Sequence, residues 1–133
     1  MKTYFADTNI FLRFILNDNK KLASQARKYF TQAKNRKINL VFTSEVILEI
    51  NYVLKKVYGV SKKEIIEHLS TLVKTPYLDI RSREILIKTL GIYQQINVDF
   101  VDILLAVTAY SENAEIFSFD KDFKAIAKTL QKN

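Results

Sequence analysis

Apolar residues in this chain fall into short runs and helical stripes separated by polar breaks, and the first run sets the pattern. Thr3-Tyr4-Phe5-Ala6 favours a strand, stops at Asp7, and is followed by Thr8, Asn9 and the apolar start of a helix. Thr8 or Asn9 caps that helix, which runs through Phe11, Leu12, Phe14, Ile15 and Leu16 to about Asn17. A second helix, about Lys21 to Lys34, turns Leu22, Ala26, Tyr29, Phe30 and Ala33 inward and keeps a basic outer surface. Ile38 to Phe42 reads as a short strand, with Thr43 or Ser44 capping a helix over about Glu45 to Tyr58. In that helix Val46, Ile50, Val53 and Val57 form the expected buried stripe, and Gly59 ends it.

The same alternation continues to the C-terminus. Ser61 opens a helix with Ile65, Ile66, Leu69, Leu72 and Val73 facing inward, stopped by Thr75-Pro76. Tyr77 to Ile80 reads as a third strand, and Ser82 as the cap of a helix through Tyr93. Asp99 opens an apolar helix from Phe100 to about Tyr110, Glu115 to Ser118 reads as a fourth strand, and Phe123 to Leu130 as a last helix. Strands alternating with helices predict an α/β fold with a mostly parallel sheet flanked by helices.

Length and composition narrow the class without changing the pattern. The 133 residues, with two Gly and one Pro, suit one compact domain over residues 1–133 with no linker. The absence of Cys excludes disulfides, thiolate zinc sites and a Cys nucleophile, and is compatible with a reducing cytoplasm. No apolar run approaches the roughly 18 residues of a membrane span, which predicts a soluble protein. Against 14 acids stand 21 Lys and Arg residues, a formal charge of +7 that attracts polyanions, nucleic acid foremost.

The acids carry the candidate chemistry. Ligands of open α/β sheets bind outside the carboxyl ends of strands, where Asp7 and Asp120 are expected. Glu49 lies three residues after Val46 and four before Val53, beside the expected stripe, where a carboxylate needs a cation, hydrogen bonds or a cleft. A plain salt bridge accounts for it equally well. Glu45 is explained by the helix dipole. Asp99 and Asp102 share a face at the start of the Phe100 helix and have a structural reading as N-cap and first-turn acid. Asp122 fits a cap before Phe123, which leaves Asp120 without so easy a structural account. Asp7, Glu49, Asp102 and Asp120 can nevertheless converge in one α/β crevice. Hard oxygen donors without Cys, with His68 the one imidazole, suit Mg²⁺ or Mn²⁺ better than zinc.

Asp7-Thr8-Asn9, Ser44-x4-Glu49, Asp99-Phe100-Val101-Asp102-x3-Ala106 and Phe119-Asp120-Lys121-Asp122-Phe123 resemble, in order and spacing, the four acidic motifs of PIN-domain ribonucleases. The nearest likeness is to VapC-type toxins of toxin-antitoxin pairs, and it covers essentially the whole chain. It implies a three-layer fold with four or five parallel strands and a Mg²⁺- or Mn²⁺-dependent endoribonuclease. Asp7, Glu49, Asp102 and Asp120 would form its metal site, with Asp99 and Asp122 as auxiliaries. Asn9 and Ser118 would hold carboxylates by hydrogen bonds, and Thr8 also matches the pattern. An RNA substrate, an antitoxin partner, a homodimer and a cytoplasmic location follow from the same resemblance. Arg13, on the helix that starts at Asn9, is placed either to approach the phosphate or to be a plain solvated surface charge. The alternative is a non-catalytic RNA-binding domain of the same fold. A receiver domain would need a paired acid at the first strand's end, and an aspartyl-phosphate phosphatase would need a second Asp where Asn9 stands.

Overall fold

The computed structural model describes residues 1–132, in the order β1 (Lys2–Phe5), α1 (Thr8–Leu16), α2 (Lys20–Lys34), β2 (Ile38–Phe42), α3 (Ser44–Lys56), α4 (Lys62–Lys74), β3 (Asp79–Ile80), α5 (Arg83–Gln95), α6 (Phe100–Ser111) and α7 (Asp122–Lys132). Asn133, the last residue of the expected domain, lies outside the described residues. The fold is mixed α/β, as the alternation of strands and helices predicts, with a parallel sheet. The chain forms two compact units, Met1–Ser82 and a second beginning at Arg83.

The first unit holds the sheet, in the order β1-β2-β3. Parallel neighbours require long crossovers, which α1 with α2 and α3 with α4 provide. Register runs from Lys2↔Ile38 to Phe5↔Val41 and from Val41↔Asp79 to Phe42↔Ile80. Four of the five β2 residues are buried, as suits a central parallel strand. The Ala6 amide donates to the Val41 carbonyl at 2.8 Å, extending the pairing one residue beyond β1. The chain therefore leaves the sheet at Asp7. α2 packs on β2, α1 on α2 and α3, and α3 on α4. The Phe30 ring stacks on Phe42 with centroids 6.0 Å apart. Asn19, Thr43 and Ser61 cap α2, α3 and α4 through side-chain oxygens. Gly59 has φ +63°, the left-handed conformation expected where α3 ends.

In the second unit α5, α6 and α7 pack on one another. Their buried residues include Leu86, Tyr93, Phe100, Ile103 and Ile126, and the Tyr93 and Phe100 rings meet edge to face at 5.2 Å. Ser82, at φ +58°, lacks the extended conformation of an N-cap.

The sheet is smaller than expected. Among the described residues three strands form instead of four or five, and β3 shrinks from Tyr77–Ile80 to two residues. Glu115 to Ser118 joins no ladder. Its composition favours a strand, but β-propensity expresses fit to a paired, half-buried surface, and this segment leaves Phe117 92% exposed, with Phe119 just beyond it 97% exposed. No fifth strand follows among the described residues, because Asp122–Lys132 is helix.

Candidate functional site

Each unit gathers its own group of acids. In the first, Asp7 is the N-cap of α1, a place expected for Thr8 or Asn9. Its extended backbone (φ −81°, ψ 158°) lets Oδ1 accept from the Thr8 amide at 2.8 Å. The Thr8 side chain is buried, and its hydroxyl donates to Glu49 Oε2 at 2.9 Å. One threonine thus ties the acid at the end of the first strand to the acid of α3, with Thr8 and Glu49 41 positions apart in the chain.

Glu49 stands differently from its expected place beside a stripe of Val46, Ile50, Val53 and Val57. The buried positions of α3 are Ile47, Ile50, Asn51 and Leu54, and Val57 is 68% exposed beyond the helix end. The inward face is rotated by about one residue, so Glu49 is exposed. No cost of burying its charge has to be offset, and a single hydroxyl suffices to orient it. Arg13 also differs from expectation. Its guanidinium donates two bonds to Asp18, at 2.9 and 2.8 Å, and a third to the Tyr58 hydroxyl at 2.9 Å. In this arrangement the guanidinium has local partners in Asp18 and Tyr58. Asn9 lines a groove between α1 and α2. Glu45 is exposed in the first turn of α3 and accepts from the Ser44 hydroxyl, and His68 lies half-buried on α4.

In the second unit Asp99 has N-cap geometry at α6 but makes no side-chain cap bond, which leaves its carboxylate uncommitted to the helix. Asp102, half-buried, follows in the first turn. Ser118 Oγ accepts from the Asp120 amide at 3.0 Å, and Asp120 Oδ1 accepts from the Asp122 amide at 2.9 Å. This double turn gives Asp120 the local structural account that the sequence did not offer. It also folds the segment back so that carboxylate oxygens of Asp102, Asp120 and Asp122 all lie within 4.8 Å of one another. Burial and then the charges of Asp99, Asp120 and Asp122 hold the Asp102 carboxyl above the usual carboxylate value. Ser118 and Asp120 also border a cavity of about 620 Å³ lined by Ala106, Tyr110, Ile116 and Phe123.

A family model of the PIN domain matches residues 4–129. The chain belongs to the PIN-domain family. Curated proteins and solved structures gave no match. Membership makes the fold of this PIN domain a nuclease type, with nucleic acid as the class of substrate. Nucleases of this type use divalent metal, and the donor set can be tested against that requirement. Three carboxylates this close repel one another, which adds to burial in raising the Asp102 carboxyl, and a hard divalent cation with oxygen ligands offsets that repulsion. The residues present therefore fit such an ion. No helix among the described residues is long and apolar enough to cross a membrane.

Proposed function

We propose that this PIN domain is a Mg²⁺- or Mn²⁺-dependent endoribonuclease acting as one nuclease domain, and the cytoplasmic toxin of a type II toxin-antitoxin pair. The observation that carries the nuclease reading is the meeting of Asp102, Asp120 and Asp122 carboxylates within 4.8 Å in a chain of this family. The toxin reading rests on the four acidic motifs, whose order and spacing resemble VapC-type toxins, and brings with it an antitoxin partner and a homodimer.

Asp7, Glu49, Asp102 and Asp120 would hold the ion, with Asp7 and Asp102 as direct ligands and Asp99 and Asp122 as nearby auxiliaries. When bound, the ion supplies the Lewis acidity that lowers the pKa of water and stabilises charge on the scissile phosphate. The chain's own residues do the rest. Thr8 fixes Glu49 through its hydroxyl, so that Glu49 orients the attacking water. Ser118 fixes the turn that presents Asp120. Attack of water at phosphorus and departure of the 3′ oxygen give a 5′-phosphate and a 3′-hydroxyl.

The test is cleavage of a mixed RNA pool by the purified protein. Cleavage should need Mg²⁺ or Mn²⁺, stop in EDTA with the circular dichroism spectrum intact, and return on adding the ion. Cleavage that persists in EDTA contradicts the metal site. RNA binding without cleavage at any ion concentration would leave the non-catalytic RNA-binding domain as the better reading.

A further inference from the structure

We propose that the groove between α1 and α2 is a nucleotide subsite, which seats one unpaired base of the RNA next to the scissile phosphate and sets the sequence preference of cleavage. This rests on the ribonuclease reading above. The groove has a volume of about 520 Å³ and is lined by Asn9, Arg13, Leu22, Gln25, Lys28 and Tyr29 among others. That volume is in the range of sites for small organic ligands. Such sites combine an apolar body with a few polar groups that fix orientation, and this lining has that composition.

Three observations identify the occupant. The first is charge. α2 carries Lys20, Lys21, Arg27, Lys28 and Lys34 and no acid along its 15 residues. Its buried positions are Ala23, Ala26, Phe30 and Ala33, so these cations stand on the solvent side. A helix with this balance complements a polyanion.

The second is chemistry. The side chains of Asn9, Gln25 and Lys28 make no hydrogen bond or ion pair among the described residues, in contrast to Arg13, which Asp18 and Tyr58 occupy. Carboxamides present a donor and an acceptor side by side, as needed to pair with a base edge. Tyr29, braced edge to face by Tyr4 at 5.4 Å, and Leu22, 42% exposed, offer surface for the base to lie against.

The third is position. Asn9 lies two residues after Asp7, and two residues of chain reach at most about 7 Å. A base in contact with Asn9 therefore belongs to a nucleotide at or beside the bond that Asp7 serves. Only an unpaired base exposes its face and pairing edge together, which makes the ligand single-stranded. Gln25 and Lys28 are then substrate-positioning residues, with the base edge on Gln25 and a phosphate on Lys28.

The test compares wild type with Gln25→Ala, Lys28→Glu and Lys28→Arg, and has two readouts. One is the set of cut sites in a random-sequence single-stranded RNA pool with Mn²⁺. The other is binding of a short fluorescent single-stranded RNA in EDTA, where no cleavage occurs. Wild type should prefer one base at a fixed position relative to the cut. Gln25→Ala should weaken that preference about ten-fold while poorly preferred sites are cut as before. Lys28→Glu should raise KM and the binding constant about ten-fold at low salt with kcat held, and Lys28→Arg should restore both. A purely structural role would lower all rates together and leave the preference unchanged.

If wild type cleaves and these variants keep its preference, KM and RNA affinity, the subsite is overturned. It is equally overturned if Lys28→Glu instead shifts the sedimentation of the free protein and leaves RNA binding alone, since the groove then seats a second copy. Lys28-dependent RNA binding by a protein that never cleaves would retain the subsite and overturn the nuclease reading.

Discussion

Asp102 is the residue at which stability and function oppose one another. Its carboxyl sits above the ordinary 3.8 because of burial and of Asp99, Asp120 and Asp122 around it. The folded state therefore binds this proton more tightly than the unfolded chain. Stability that a protonated Asp102 leaves intact is lost as pH rises from the ordinary value through the raised one, and the deficit persists above it. Asp102→Asn removes the charge. In EDTA its Tm should exceed that of wild type near pH 7, with the gap closing as pH falls toward 4, while cleavage drops about 100-fold or more. Melts across pH check this, and a variant less stable than wild type at every pH would contradict it. Adding Mg²⁺ should raise the Tm of wild type and narrow the gap. The positions of Asp7 and Asp102 in the fold were legible in the sequence, because Asp7 ends an apolar run and Asp102 stands in the first turn of an apolar helix. The seat of Glu49 was not. α3 offers two overlapping stripes, Val46 with Val53 and Ile47 with Leu54, and spacing cannot choose between them when both are apolar. Around Asp120 an acidic turn was legible as an Asx turn with a helix cap, but not that Asp120 itself is the acceptor, since Asp120 and Asp122 suit such a turn equally.

At the level of elements, compact apolar runs with clear punctuation were legible. β2 occupies Ile38–Phe42 as expected, and α4 lies between its Ser61 cap and Thr75 with Ile65, Leu69, Leu72 and Val73 buried. Glu115 to Ser118 misled because strand-favouring residues do not supply a ladder partner. That difference is measurable. Phe117 is 92% exposed, so Phe117→Ser should change stability to urea by no more than about 0.5 kcal/mol. A loss of more than about 2 kcal/mol would mean that Phe117 is packed as a strand residue is.

Across the whole chain, charge is divided unevenly. Met1–Ser82 holds 15 of the 21 Lys and Arg residues, whereas the 14 acids split evenly, seven to each unit. Attraction for a polyanion thus belongs mainly to the first unit, and the close carboxylate cluster to the second. The function proposed above has Asp7 with Glu49 and Asp102 with Asp120 serving one metal-dependent reaction. A double-mutant cycle on RNA cleavage in Mn²⁺ with Asp7→Asn, Asp102→Asn and the pair tests that proposal most directly. Residues that act as a unit are strongly non-additive, so each single variant should lose about 100-fold or more and the double variant should be scarcely worse than the poorer single. Losses that multiply, or a single variant that cleaves like wild type, would contradict that proposal.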